Sequence, residues 1–431
     1  MLPFRPMLDA RTLAVRRDEI VESCRRRGVE ADVGAAIAAQ ERVAAVQTEL
    51  NESNRLRNEH QKAGRRKLEA DEREAHVTLG RRLKEETASI EERLFLAQAA
   101  LRDHLAPLPN FVHPDSPVGG EEDFRVMREV GEPPTFDFEP ADHLDLGERL
   151  DLIDFDGGAK VAGQKFYYLK NEAVFLDLAL QRYALDIVSE AGFVPHVTPD
   201  LARKNVVDAM AFSPRGPETQ IYSVEDADLD LIGTAEITLG GLYLDALVDE
   251  AELPIRIAGV SHCYRTEAGS AGRESKGLYR VHQFSKVEMF ALTRPEESEW
   301  VHEEILALEE RIFGGLEIPY RVIDVATGDL GAPAYRKYDI EAWMPGRGDA
   351  GEYGEISSTS NCTDYQARRL RARFRHTDTK RNELLHTLNG TAVAVSRTLI
   401  PLLENHQRAD GSIEIPKALR PYLGRESIGP R

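Results

Sequence analysis

Between residues 260 and 290 the chain places Arg265, Glu267, Phe284, Lys286 and Glu288 in two strand-like runs, V-S-H-C-Y-R-T-E and V-H-Q-F-S-K-V-E-M-F. Strand side chains alternate between faces. Cys263, Arg265 and Glu267 therefore share one face of the first run, and Phe284, Lys286 and Glu288 one face of the second. Burying such charges without partners is costly. A purine nucleotide supplies both complementary charge and a flat ring, so the pair of runs reads as a strand-loop-strand that holds a nucleotide. The connecting loop carries Gly269, Gly272 and Gly277, which give mobility, and Arg273, Lys276 and Arg280, which attract a polyanion. The chain contains no G-x-S-x-G elbow and no G-x-x-x-x-G-K-[ST] loop. The chemistry in view is charge stabilisation by positioned cations, with little need for a protein nucleophile.

The elements that must hold these residues are of two kinds. From about residue 33 to about 105 there is no proline and a dense supply of Ala, Glu, Arg, Leu and Gln, all good helix formers. Apolar residues recur at three- and four-residue steps: Val43, Val46 and Leu50, then Leu83, Ile90, Leu94, Ala97 and Leu101. This pattern predicts an antiparallel helical hairpin with its tip around Gly64 to Ala75 and arms on the order of 45 Å long. Such an arm suits either an oligomerisation coiled coil or a polyanion contact. The cations Arg55, Arg57, Lys62, Arg65, Arg66 and Lys67 cluster on its distal half, where a dimer seam would need apolar residues, and this favours nucleic acid. Pro107, Pro109, Pro114 and Pro117, with Gly119 and Gly120, mark a linker, so a helical domain over 1–110 and a second domain over 111–431 are expected. In the second domain, helical stretches at 171–190 and 296–313 are interspersed with strand-like runs at 256–266, 279–291, 320–326 and 338–344. Because hairpin partners adjoin rather than alternate with crossovers, the expected class is α+β with an antiparallel sheet.

A chain of 431 residues can hold two or three domains with a sizeable core. Its net charge of −19 excludes a protein that coats nucleic acid indiscriminately, because phosphate binding needs positive potential. No apolar run approaches the roughly 18 residues of a membrane span, and no apolar segment follows the Arg-rich start, so the expected compartment is the cytoplasm. Cys24, Cys263 and Cys362 lie too far apart for a zinc pattern or a disulfide framework.

The run Arg265-Thr266-Glu267, the glycine-rich loop and V-H-Q-F-S-K-V-E resemble motif 2 of the seryl-tRNA synthetases. The resemblance extends to G-T-A-E-I from Gly233, to G-E-I-S-S-T-S-N-C-T-D from Gly354 and to L-N-G-T-A-V-A-V-S-R from Leu388, which looks like motif 3; Pro199 stands where the motif 1 proline belongs. It covers nearly the whole chain and implies a class II synthetase sheet, an arm that grips the tRNA and a homodimer. It also implies ATP as substrate and Mg²⁺. The resemblance assigns Arg265 to the α-phosphate and the serine carboxylate, Glu267 to the adenine amino group, Phe284 to stacking on the ring and Arg397 to the γ-phosphate. Thr266, Val281, Ile356 and Ser357 complete the ATP site, and Glu355 and Ser358 would hold the metal. For serine it implies Thr234 and Glu236, expected to share a strand face, with Arg265, Glu288 and Thr391. Thr391 and Ser396 replace the serine and glycine usual in bacterial members and could reshape the pocket floor. Arg55, Arg57, Lys62, Arg65, Arg66, Lys67, Arg273 and Lys276 would contact tRNA-Ser.

Three functions compete at this point. The leading one is attachment of L-serine to tRNA-Ser through a seryl-adenylate, with the selenocysteine tRNA left open as a second substrate. A paralogue activating a small amino acid for a carrier would have no use for the basic arm. An inactive tRNA-binding scaffold would have no physical reason to keep Arg265, Glu267, Glu355, Ser358 and Arg397 together.

Overall fold

The computed structural model describes residues 12–65, 69–212, 220–268 and 276–430. Arg66, Lys67 and Arg273 lie outside these residues. The chain divides into two compact units, Met1–Phe111 and Val112–Arg431.

The first unit is helical: α1 (Arg17–Arg26), α2 (Val33–Ala63) and α3 (Ala70–Leu105). The side chain of Asp32 caps α2 by accepting from the Ala35 amide at 2.8 Å, and Glu69 opens α3 in a capping box with Glu72. As the spacing predicts, α2 and α3 form an antiparallel hairpin with Val46, Leu83, Leu94, Ala97 and Leu101 buried between them. One seam position is polar. Ser53 and Thr87 meet at 2.7 Å between their hydroxyls, and Thr87 donates to the Leu83 carbonyl, so Ser53 must donate to Thr87. A satisfied buried hydroxyl pair fixes which turns of the two helices face each other. Toward the tip, His60 and His76 stack with ring centroids 3.7 Å apart.

The second unit is built on eight strands: β1 (Arg125–Val130), β2 (Val194–Val197), β3 (Ile255–Tyr264), β4 (Gln283–Thr293), β5 (Tyr320–Asp324), β6 (Arg336–Met344), β7 (Glu352–Thr363) and β8 (His386–Ala394). Their order across the sheet is β1-β5-β6-β7-β8-β4-β3-β2. Every neighbouring pair is antiparallel except β2 with β3, which fits the α+β expectation. Helices α4 (Glu172–Glu190), α5 (Ala235–Gly241), α6 (Ser298–Gly315) and α7 (Val395–Asn405) pack on it. No helix among the described residues is long and apolar enough to cross a membrane.

The alternation along β4 decides where the site lies. Val287, Met289 and Ala291 point into the main core with residues of α4, α6 and α7. Phe290 and Leu292 point the other way into a smaller core that includes Ile237 of α5. Further along that second face come Glu288, Lys286 and Phe284, where apolar packing gives way to polar groups. Gly390 of β8 lets α6 approach: a Cβ there would come within 2.3 Å of Ile305.

Two local expectations are corrected. Strand β3 ends at Tyr264; the Arg265 amide still donates to the His282 carbonyl at 3.0 Å, and Thr266 and Glu267 lie beyond the strand, with Glu267 at φ 51°. Thr234 and Glu236 do not share a strand face. Thr234 is the N-cap of α5, its hydroxyl accepting from the Glu236 amide at 3.3 Å, and Glu236 lies in the first helical turn.

Candidate active site

A cavity of about 400 Å³ opens on the second face of the sheet. Arg265, Glu267, Val281 and Phe284 line it from the ends of β3 and β4, Glu355 to Ser358 from β7, Thr391 from β8 and Arg397 from the first turn of α7. Glu236 reaches it from α5. Segments more than 150 residues apart thus bring most of the expected site residues to one place.

Glu355 and Ser358 reach the same cavity through a β-bulge. Three residues apart on a regular strand, they would face opposite sides. In β7, Ser357 pairs with Ile340 and Glu355 with Glu341, leaving Ile356 as the extra residue that resets the alternation. Ser357 turns its hydroxyl away, donating to the Thr391 carbonyl at 2.6 Å, and so ties β7 to β8 beneath the pocket floor.

The charges are arranged in pairs. Arg397 meets Glu355 at 3.0 Å and lies over the Tyr279 ring, 5.0 Å from its centroid. Burial works to raise the Glu355 pKa, but Arg397, Lys337 and Arg265 outweigh it and hold the carboxyl at about 2. Arg265 sits near the rings of Phe284 and Phe212, 5.5 and 6.0 Å from their centroids, and donates to the Gly233 carbonyl at 3.2 Å. Glu267 pairs with Arg280 at 3.3 Å. Lys286 pairs with Glu288 and donates to Thr234 Oγ1 at 3.3 Å. Glu236 is pushed up to about 7 by burial and by the neighbouring Glu288.

Some expected residues stand back from the cavity. Glu288 is completely buried behind its lining, accepting from Asn389 at 3.3 Å and Thr391 at 3.4 Å, with Lys286 as counter-ion. Thr234 is likewise buried, and Thr266 serves the turn, its hydroxyl accepting from the Ala268 amide at 3.4 Å. Lys276 is paired with Asp142. On the arm, Arg55 is held by Glu52 and Glu59, while Lys62 and Arg65 are exposed and Arg57 is half-buried. Lys286, Asn389, Tyr279, Lys337 and Phe212 also line the cavity, and the sequence pattern assigned none of them a contact with substrate. Only Lys286 carried a signal, its shared strand face with Phe284 and Glu288.

The family model described as "Seryl-tRNA synthetase N-terminal domain" matches residues 7–112, and "tRNA synthetase class II core domain (G, H, P, S and T)" matches residues 221–406. A serine–tRNA ligase of Rubrobacter xylanophilus is 54% identical over 98% of this chain and 99% of its own length. The chain belongs to the seryl-tRNA synthetase family. Another member, the serine–tRNA ligase of Treponema denticola, is 50% identical over 98% of this chain and all of its own. Among solved structures, the seryl-tRNA synthetase of Pyrococcus horikoshii complexed with ATP superposes with a TM-score of 0.87 at 38% identity, covering 98% of this chain and all of that one. The cytoplasmic serine–tRNA ligase of Naegleria fowleri in complex with AMP gives 0.82 at 31% identity over the full length of both.

Proposed function

We infer that this chain attaches L-serine to tRNA-Ser at the expense of ATP, through a seryl-adenylate, and that the cavity on β3, β4, β7 and β8 performs the activation. The observation that carries this reading is the gathering of Arg265, Glu267, Phe284, Glu355 and Arg397 around one cavity, with Glu236 and Thr391 also lining it.

ATP enters as the substrate, with the adenine against Phe284 and Glu267 and the triphosphate between Arg265 and Arg397. Arg265 can grip the α-phosphate and the serine carboxylate together, because its planar fork matches either anion. As the carboxylate attacks the α-phosphorus, negative charge builds on the phosphoryl oxygens, and a guanidinium already in place stabilises that charge without reorganisation. Pyrophosphate leaves, held by Arg397. In the second step a ribose hydroxyl at the 3′ end of tRNA attacks the acyl carbon, AMP departs and the hydroxyl proton passes to the released phosphate or to solvent. Glu236 receives the ammonium of serine, while Thr391 receives the hydroxyl and is backed by Glu288, which lies behind the lining.

Mg²⁺ fits the residues present. Glu355 is ionised and the bulge turns it to the same side as Ser358, giving two hard oxygen donors beside the place of the phosphates. When bound, the ion would neutralise phosphate charge.

The arm carries the tRNA through Arg57, Lys62 and Arg65, and the same grip extends the proposal to the selenocysteine tRNA. A homodimer is supported by exposed Phe175 and Leu178 on α4 and Val194 and Val197 on edge strand β2. A cytoplasmic location suits three buried cysteines, none in a disulfide. The test is pyrophosphate exchange with serine followed by charging of tRNA; exchange without charging would favour a carrier-directed paralogue.

A further inference from the structure

Beside α5, a short helix spans Tyr365–Leu370. Its Gln366 is wholly buried. The Gln366 Nε2 donates to Glu236 Oε1 at 2.6 Å and to the Met210 carbonyl at 3.2 Å, and its Oε1 accepts from the Thr387 hydroxyl at 2.7 Å. Both N–H groups and the carbonyl oxygen are therefore engaged, and exchanging the oxygen and nitrogen would set an oxygen against the Glu236 carboxylate and the Met210 carbonyl, which can only accept. The helix is itself anchored. Arg369 donates through Nε to the carbonyls of Asp208 and Ala209 at 2.9 and 3.1 Å, at the end of helix Lys204–Ala209.

We propose that Gln366, oriented by Thr387, is a positioning residue for serine recognition: through its Nε2 bond it aims the Glu236 carboxylate at the amino group of the amino acid. This rests on the reading that Glu236 takes the serine ammonium. The groups facing Glu236 are Glu288 and Lys286 from β4, Arg265 from the end of β3 and Gln366 itself. Burial and Glu288 favour the neutral acid, whereas Gln366, Lys286 and Arg265 favour the carboxylate. The balance lies close to neutral pH, so the loss of one N–H donor tips it. A protonated Glu236 must release its proton before it can meet an ammonium, and serine affinity then depends on pH in a way that ATP affinity does not.

The experiment measures pyrophosphate exchange by the full chain carrying Gln366→Met, which keeps the length and removes the polar atoms, titrating serine and ATP separately between about pH 6 and about pH 8.5. The proposal expects the serine KM at pH 7 to rise on the order of tenfold or more and to fall back toward the parent value as pH rises. The ATP KM should stay within about twofold. Thr387→Val, which frees the amide to turn, should give a smaller rise with the same pH dependence. An unchanged serine KM, or a rise equal at every pH and matched in ATP, overturns the proposal. Glu236→Gln measured alongside separates the two readings. A normal serine KM in that variant overturns the ammonium site and this proposal together. Normal kinetics in Gln366→Met beside a defective Glu236→Gln overturns the positioning role alone.

Discussion

The arm and the cavity are both rich in charge, and they treat it in opposite ways. On the arm Arg55 bonds to Glu52 and Glu59, and Arg82 to Glu86, at helical three- and four-residue spacing on exposed surface. In the cavity region Lys286 and Glu288 form a buried pair, Lys337 with Asp339 at 2.9 Å is well shielded, and Arg397 with Glu355 faces the cavity partly exposed. Exposed pairs contribute little and exchange readily with water or phosphate. A buried pair can give up its partner only to a ligand that replaces the lost charge. The arm is thus suited to adaptable, salt-sensitive contact with a backbone, and the cavity to ligands whose charges fit one arrangement.

The largest effect should come from breaking the cavity side. Arg265→Ala should lower serine-dependent pyrophosphate exchange by at least about 10³-fold, with little change in the thermal midpoint. Near-normal exchange would remove Arg265 from the chemistry. Next, deleting residues 47–97 should leave exchange within about twofold while charging falls by more than about 10²-fold. Full charging by the truncated protein would end the arm hypothesis.

A third test uses the pH dependence of stability. Glu236 has its folded pKa raised from 4.5 to about 7, so the folded state holds more protons than the unfolded state between those values. Stability therefore falls as pH rises through that window, by a few kcal/mol at most. Glu236→Gln should flatten this part of the profile of denaturant midpoint against pH, and an unaltered slope would place the titration elsewhere. Smaller still, Lys62→Ala or Arg65→Ala should weaken tRNA binding by less than about tenfold and reduce its salt slope by about one unit. Arg55→Ala, with its guanidinium already held by two carboxylates, should do less; an effect larger than that of Lys62→Ala would reverse the ranking. Last, Ser53→Ala should cost the arm about 1 kcal/mol, read as local hydrogen exchange around Thr87.

Much of this was legible in the sequence where a single period runs uninterrupted. The three- and four-residue apolar spacing located the hairpin, and the period of two on β4 put Phe284, Lys286 and Glu288 on one face. That period could not tell which of the three would be buried. Glu288 is covered because Thr391 and Asn389 of β8 close over it. The bulge at Ile356 was invisible, since nothing in E-I-S-S distinguishes an extra residue from a regular one. The G-T-A-E-I run is too short to show a helical period, so its opening of α5 by an N-cap threonine read as strand. Tyr279 and Gln366 act through partners over a hundred residues away, Arg397 and Glu236 respectively, and local pattern carries no trace of that.

We propose that this cavity activates serine for transfer to tRNA. The most direct measurement is amino-acid-dependent ATP–pyrophosphate exchange across all twenty amino acids, followed by charging of total tRNA with the one that responds. Exchange with serine and charging of tRNA-Ser are expected. Exchange with a different amino acid, pointing to Thr391 and Ser396 as having reshaped the pocket, or no exchange at all, would contradict the proposal.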